Sequence, residues 1–120
     1  MYLFDTNVFI NVARANKSIE GIIYFFSIIT EIELLSYPDI RLDEKDEIEK
    51  YCNDLGRIIV DSDIKDEVIY LRSKYRLKTP DAIICGTALA YNLTLVTNDK
   101  KLLTIEEIKT LTIEQLFENV

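Results

Sequence analysis

The chain has 120 residues, of which 48% are hydrophobic and 29% charged, and its formal net charge is −7; this is enough for one domain with a buried core. It contains no histidine, which excludes Ser-His-Asp and Cys-His catalysis and removes the commonest zinc ligand. The acidic balance argues against a protein that coats nucleic acid, and the absence of a leader pattern or long apolar run predicts a cytoplasmic protein without membrane association.

The first third of the chain predicts two strands, each followed by a helix. Tyr2–Phe4 is a short apolar run typical of a buried strand, and 5–14 then predict a helix with apolar residues on one side. Residues 22–28 are rich in β-branched and aromatic side chains, which predicts the second strand. The next helix is predicted to begin at Thr30 and to end before Pro38, which cannot continue it.

The middle of the chain predicts three helices and one strand. A charged helix is expected over 42–55 and a third strand over 58–60. Asp63 is predicted to cap the following helix, which carries an apolar stripe at helical spacing. A further helix over 81–91 is opened by Pro80, where the missing N–H costs nothing. This last helix is apolar nearly all round, so we expect it to be buried.

The end of the chain predicts two more strands. A fourth strand is expected over 93–96, a short helical stretch from Asn98, a fifth strand over 108–111, and a terminal helix from Ile113. Strands separated by helices require crossover connections. We therefore predict an α/β fold with a mainly parallel sheet of four to five strands and helices on both faces. Ligands bind beyond the carboxyl ends of strands in such sheets.

Acidic residues follow several of these strands. Asp5 comes directly after the first strand, Glu33 lies one turn into the helix after the second, and Asp99 follows the fourth. Asp81 opens a helix that follows another helix, so no strand end places it at the same edge. Carboxylates suit hard cations such as Mg²⁺ and Mn²⁺, and a bound metal can activate water for phosphodiester cleavage without histidine.

Each of these acids also has a purely structural interpretation. Asp5 and Asp99 are suited to cap helix N-termini. Thr30 and Glu33 have the spacing of a capping box, with Thr30 as the N-cap. Asp81 lies at the start of a predicted helix, where a negative charge interacts favourably with the helix dipole. Spacing alone leaves the structural and the functional interpretation open.

Four stretches of the chain resemble, in order, the acidic motifs of PIN domains. They are 5–10 (DTNVFI), 27–35 (SIITEIELL), 80–84 (PDAII) with 87–90 (TALA), and 95–100 (LVTNDK). In the second motif the acid followed by leucine is the metal-site residue, so the resemblance favours Glu33 over Glu31. The match runs from Tyr2 to about Leu103.

Within that family, the chain is most similar to the VapC-like toxins of bacterial and archaeal type II toxin–antitoxin modules. The resemblance implies one domain over residues 1–120, a three-layer sandwich, and an endoribonuclease that depends on Mg²⁺ or Mn²⁺. It also implies an RNA substrate such as tRNA or rRNA, an antitoxin partner and a homodimer. The acids that it assigns to catalysis and metal binding are Asp5, Glu33, Asp81 and Asp99. The polar neighbours that it assigns to their support are Thr6, Asn7, Thr97 and Asn98.

Two features depart from the family pattern. The segment 11–20 is shortened, which affects substrate choice and partner contacts. Many relatives continue the fourth motif with a second acid and then an aromatic residue, where this chain has Lys101 and Leu102. A lysine in place of an acid weakens a second metal position, so the number of metal ions is left open.

Basic residues precede Asp81 within a span of seven positions. They are Arg72, Lys74, Arg76 and Lys78. They are either a solvated helix end, whose cations complement the helix dipole, or a surface that binds RNA phosphates. Lys100 and Lys101 are weaker candidates for the same role.

Two other functions fit parts of the pattern. A phosphoacceptor receiver domain also gathers aspartates at strand ends, but it needs a paired acid beside the acceptor and a lysine after a late strand. A PIN fold without activity would serve as a binding module. The presence of all four acids argues against that loss.

Overall fold

The computed structural model describes residues 1–15, 21–54 and 56–118. Its strands are β1 (Tyr2–Phe4), β2 (Tyr24–Ser27), β3 (Gly56–Ile58), β4 (Thr94–Val96) and β5 (Thr110–Leu111). Its helices are α1 (Thr6–Ala15), α2 (Ile28–Leu35), α3 (Leu42–Asp54), α4 (Ser62–Tyr75), α5 (Thr79–Ala90) and α6 (Ile113–Glu118), with a 3-10 turn over Leu102–Thr104. Two predictions fall partly outside the described residues. They are the second half of the shortened segment, 16–20, and the last residue of the helix predicted over 42–55.

The strands form one five-stranded parallel sheet, which confirms the predicted mainly parallel sheet of four to five strands, and their order is β3-β2-β1-β4-β5. Leu3 of the central strand is level with Phe25 of β2 and with Leu95 of β4. The chain runs outward from β1 to β3 and then crosses to the other side of β1 for β4 and β5. The strand order therefore reverses between β1 and β4. A crevice is expected beyond the carboxyl ends of these two strands.

Helices cover both faces of the sheet, which confirms the predicted three-layer arrangement. Because side chains alternate along a strand, Leu3 and Leu95 face one layer while Phe4 and Val96 face the other. The first layer is built on α4 and α5 and contributes Leu71, Ala82, Ile84 and Ala88. The second is built on α1, α3 and α6 and contributes Val8, Phe9, Cys52 and Leu116. No helix in the described part of the chain combines the length and the apolar character needed to cross a bilayer.

The fourth and fifth strands begin one and two residues later than predicted, and the second and third differ from their predicted bounds as well. The second spans Tyr24–Ser27 rather than 22–28, because Ile28 already belongs to the helix. The third spans Gly56–Ile58 rather than 58–60. Glycine is a poor strand residue in isolation, but the ring of Phe25 lies against Gly56, where an added Cβ would meet it at 2.3 Å. Tertiary packing, rather than local propensity, therefore decides where the third strand lies in the sequence.

The predicted helix caps are also wrong at two positions. Helix α2 begins at Ile28, and its N-cap is Ser27, whose hydroxyl accepts a hydrogen bond from the Ile29 N–H at 3.2 Å. Thr30 is thus inside the helix and does not form a capping box with Glu33. The cap of α4 is Asp61 instead of Asp63, since Asp61 Oδ1 accepts from the Ile64 N–H at 2.9 Å. Several adjacent polar residues satisfy the capping rule in both places, and the backbone selects one.

Gly86 allows α4 and α5 to approach closely, and Gly86→Ala is expected to lower the free energy of unfolding by about 1–3 kcal/mol. An added Cβ would lie 2.7 Å from Val68 Cγ2 and 3.1 Å from the Val68 backbone nitrogen. Valine is stiff at χ1 in a helix, so its methyl group cannot swing away. This cost exceeds the gain in helix propensity that alanine normally brings. Denaturant unfolding measures the difference.

The double variant Gly86→Ala with Val68→Ala is the matched control for that clash. Removing the two methyl groups of Val68 relieves the closest contact, so the two substitutions are expected to be less destabilising together than their separate effects summed. A Gly86→Ala protein as stable as the parent would contradict this packing of α4 on α5.

Candidate functional site

The first predicted acid lies at the carboxyl ends of β1 and β4. Asp5 follows β1 directly, and its backbone N–H donates to the Val96 carbonyl of β4 at 3.0 Å. Its side chain is nearly buried, with 8% exposure. A carboxylate in this position requires partners, because an unpaired buried charge is costly.

Hydrogen bonds hold both oxygens of Asp5. The Thr6 N–H donates to Oδ1 at 2.7 Å, and the fully buried Thr97 hydroxyl donates to Oδ2 at 2.7 Å. The Asp99 N–H donates in turn to the Thr97 hydroxyl oxygen at 3.1 Å. Asp99 is therefore tied to Asp5 through a single threonine, as two strand ends at one edge of the sheet would predict.

Glu33 joins the same group from α2. Its Oε1 accepts a hydrogen bond from the Thr6 hydroxyl at 3.1 Å. Glu31, in contrast, accepts two hydrogen bonds of 2.7 Å from the Arg57 guanidinium. The structure thus places Glu33, rather than Glu31, beside the residue that follows Asp5. Its role as a metal ligand stays a prediction.

Asp81 lies within electrostatic reach of the other acids. Burial raises the pKa of its carboxyl, and the negative charges of Asp5 and Asp99 raise it further, while Lys78 and Lys101 oppose the shift. The site therefore disfavours the ionised form of Asp81 unless positive charge is supplied.

The crossover topology explains why Asp81 belongs to this edge. The Leu93 N–H donates to the Ala88 carbonyl, so the end of α5 lies next to the start of β4. A helix that leads into a parallel strand must begin toward the carboxyl ends of the sheet. A position directly after a strand does not identify Asp81, because this residue precedes β4. The strand after α5 was the signal that could have placed Asp81.

Cys85 lies one turn after Asp81 and is completely buried. Burial raises the pKa of its thiol to about 12, and the nearby charges of Asp81, Asp5 and Asp99 act in the same direction. The protonated form of the thiol is therefore favoured in the metal-free protein.

The predicted supporting residues divide into two groups. Thr6 and Thr97 link the acids, and the Thr6 hydroxyl also lies 3.0 Å from that of Thr30. Asn98 is turned toward α6, where its Oδ1 accepts a hydrogen bond from the Ile113 N–H at 3.1 Å. Asn7 is exposed on the first turn of α1. The structure therefore brings the two threonines, but not Asn98, into contact with the acids.

The predicted basic cluster is also divided. The Lys74 ammonium lies 3.1 Å from Glu107, and Arg72 Nε donates to the Leu77 carbonyl at 3.2 Å. These two side chains serve the packing of the α4 end. The other two, exposed in the turn between α4 and α5, are Arg76 and Lys78.

The donor set fits Mg²⁺ or Mn²⁺ in its chemistry. It consists of carboxylates, which hard cations prefer, and their mutual repulsion on Asp81 is what a cation would relieve. Across the described ranges, no three Asp, Glu or Cys side chains are arranged around one metal position. The acids would have to converge further to hold an ion.

Comparison with known proteins identifies the family pattern. The sequence model of the PIN domain matches residues 2–108, which include all four predicted acids. No curated protein sequence matches the chain.

Solved structures share the fold over most of the chain. A toxin–antitoxin complex from Klebsiella pneumoniae contains a chain with 29% identity and a TM-score of 0.75, with coverage of 90% of this chain and 95% of that one. VapBC2 from Rickettsia felis, bound to a promoter DNA fragment, gives 19% identity, a TM-score of 0.79 and coverage of 92% and 97%. DNA-bound VapBC from Salmonella typhimurium gives 19% identity, a TM-score of 0.79 and coverage of 92% of this chain and 96% of that one. The likeness to the last two shows the fold alone.

Proposed function

The chain belongs to the PIN domain family, and from this premise we propose that it is a metal-dependent endoribonuclease that cleaves RNA phosphodiester bonds. The observation that carries the proposal is a run of residues, linked by side-chain and backbone hydrogen bonds, that brings three predicted acids together at the topological switch point. The residues in this run are Glu33, Thr6, Asp5, Thr97 and Asp99. Asp81 is coupled to the run through its charge.

The acids supply the ligands and the threonines orient them. The side chains that would hold Mg²⁺ or Mn²⁺ are Asp5, Glu33, Asp81 and Asp99. The ion, when bound, lowers the pKa of a water molecule and stabilises the charge that develops on phosphate oxygens. Thr97 and the Thr6 N–H each fix one oxygen of Asp5, which limits rotation of this carboxylate.

We also propose that the protein is the toxin of a toxin–antitoxin pair and acts as a homodimer. The similarity to a chain of the Klebsiella complex supports this role. An antitoxin is expected to insert an Arg or Lys among the site carboxylates, because a cation complements their charge. An antitoxin variant that lacks its inserted basic residue and still inhibits fully would count against this contact.

The test of the nuclease is cleavage of a mixed RNA pool by the purified protein. We expect cleavage with Mg²⁺ or Mn²⁺ and none with EDTA, and the fragment ends then identify the target motif. Cleavage that persists in EDTA would refute the metal mechanism. Binding of RNA without cleavage of pooled or structured RNA would favour the inactive binding module. Membership of the PIN family removes the basis for the receiver-domain alternative.

Glu33→Gln is expected to reduce cleavage by about tenfold or more, because partners of a metal site are commonly worth 10- to 100-fold. The substitution keeps the shape of the side chain and removes its negative charge. The measurement is the initial cleavage rate of one RNA oligonucleotide at saturating Mg²⁺.

Glu31→Gln is the matched control on the same helix. It is expected to retain the parent rate and to lower stability, since Glu31 forms the paired hydrogen bonds with Arg57. Equal losses of activity in the two variants would show that Glu33 has no special role. Loss in Glu31→Gln alone would reverse the assignment.

A further inference from the structure

Two lysines from separate segments lie beside the acids. The Lys101 backbone N–H donates to Asp99 Oδ1 at 2.9 Å, and its ammonium Nζ lies 3.4 Å from the Arg76 carbonyl oxygen. Lys78 is the N-cap residue of α5, three positions before Asp81. The start of the 3-10 turn, whose N-cap is Lys101, therefore lies against the turn between α4 and α5, and each of these two segments carries a lysine close to the acids.

The ammonium groups of both lysines can donate further hydrogen bonds. Both side chains are exposed. The ion pairs within the described ranges engage Arg41, Arg57, Lys65 and Lys74, and neither Lys78 nor Lys101 takes part in one. An ammonium group has three donors, and to the residues that the structure describes these two ammonium groups make a single hydrogen bond, from Lys101 to the Arg76 carbonyl. Lys74, in contrast, is already neutralised by Glu107.

Both lysines border the acids in the fold. The Lys101 N–H bonds the Asp99 carboxylate, and Lys78 precedes Asp81 by three positions at the start of α5. A polyanion that approaches four acids in a chain of net charge −7 meets strong repulsion. Exposed ammonium groups at the rim of the acids offset that repulsion where the polyanion must come closest.

We propose that Lys78 and Lys101 form a phosphate clamp, in which each ammonium binds a non-bridging oxygen of the RNA backbone beside the bond that is cut. The proposal rests on the proposed function, since it takes RNA as the substrate. It replaces Arg72 and Lys74 of the predicted basic cluster as the main phosphate ligands. The clamp contacts phosphates rather than bases, so it contributes affinity without sequence preference.

The test measures RNA binding apart from cleavage. A fluorescein-labelled single-stranded oligoribonucleotide is titrated with the Asp5→Asn protein in EDTA, and anisotropy is followed over a salt series. Lys78→Gln and Lys101→Gln, each added to this protein, are expected to weaken binding roughly three- to tenfold at low salt. The slope of log affinity against log salt is expected to fall by about 0.7 for each lost contact.

Two further variants distinguish the effect of a positive charge beside the acids from the effect of the protein's overall charge. Lys109→Gln removes an exposed lysine before β5, at the opposite ends of the strands, and is expected to bind like its parent. Lys101→Arg retains the charge and is expected to restore most of the affinity. Unchanged affinity in both glutamine variants, an equal loss in Lys109→Gln, or no binding by the Asp5→Asn protein would overturn the clamp.

The outcomes distinguish the clamp from the nuclease. Wild-type cleavage in Mg²⁺ with unchanged binding by the lysine variants would refute the clamp and leave the proposed function standing. Lysine-dependent binding without any cleavage by the wild type would refute the nuclease and leave the clamp.

Discussion

Asp5→Asn is expected to lower the RNA cleavage rate by about 100-fold or more, since even partners outside a ligand set are worth about 10- to 100-fold. Asp5 is the most enclosed of the four acids, and both of its oxygens are fixed by hydrogen bonds. An amide keeps this shape but presents an NH₂ group where a cation needs an oxygen. Single-turnover cleavage with Mg²⁺ measures the loss.

The control for Asp5→Asn is Asp46→Asn on α3. Asp46 is exposed and belongs to a helix whose acids face solvent, so this variant loses the same charge away from the crevice. It is expected to cleave at the parent rate. Circular dichroism and the thermal midpoint establish that both variants are folded. An Asp5→Asn protein that is folded and fully active would refute the carboxylate mechanism.

The edge of the sheet that holds the site follows from the sequence because it depends on strand order and connection alone. Strand, helix and strand in alternation require a parallel sheet, and a parallel sheet brings the residues after its strands to one edge. Asp5 and Asp99 could therefore be expected together before the fold was known. Asp81 required one more step, namely that the helix before a parallel strand begins at that edge.

The links between the acids could not be predicted from local patterns. Thr97 and Asp5 are 92 positions apart, and the register of β1 on β4 alone brings the hydroxyl to the carboxylate. The same holds for β3, where Gly56 is a strand residue because the ring of Phe25 covers it. Local propensity is a weak guide where a contact with a distant segment decides the conformation.

Asp81→Asn is expected to reduce cleavage by about 100-fold or more, comparable to a lost ligand, and to stabilise the metal-free protein. The pKa of Asp81 is raised by burial and by Asp5 and Asp99, so its ionised form opposes folding at neutral pH. A neutral amide of the same shape removes that opposition. The charge of Asp81 would then lower the stability of the metal-free protein, as a consequence of a residue that function requires.

The pH dependence follows from the direction of that shift. Because the folded pKa lies above the unfolded one, the folded state binds the proton more tightly, and protonation stabilises it. This contribution is complete below the ordinary carboxyl pKa of about 4 and is lost as the pH rises through the raised value. The stability advantage of Asp81→Asn in EDTA is therefore expected to grow from about pH 4 upward.

Metal ions are expected to stabilise the parent more than the Asp81→Asn variant. A cation that binds the folded state stabilises it more the further its concentration exceeds its Kd, and Asp81→Asn is expected to raise that Kd by removing a ligand. The parent is then expected to gain more in thermal midpoint from Mn²⁺ than the variant gains. Thermal unfolding at several pH values, with EDTA and with Mn²⁺, measures both effects. A variant that is less stable than the parent in EDTA at neutral pH would show that the charge of Asp81 is satisfied within the protein, and that the acids do not need a cation.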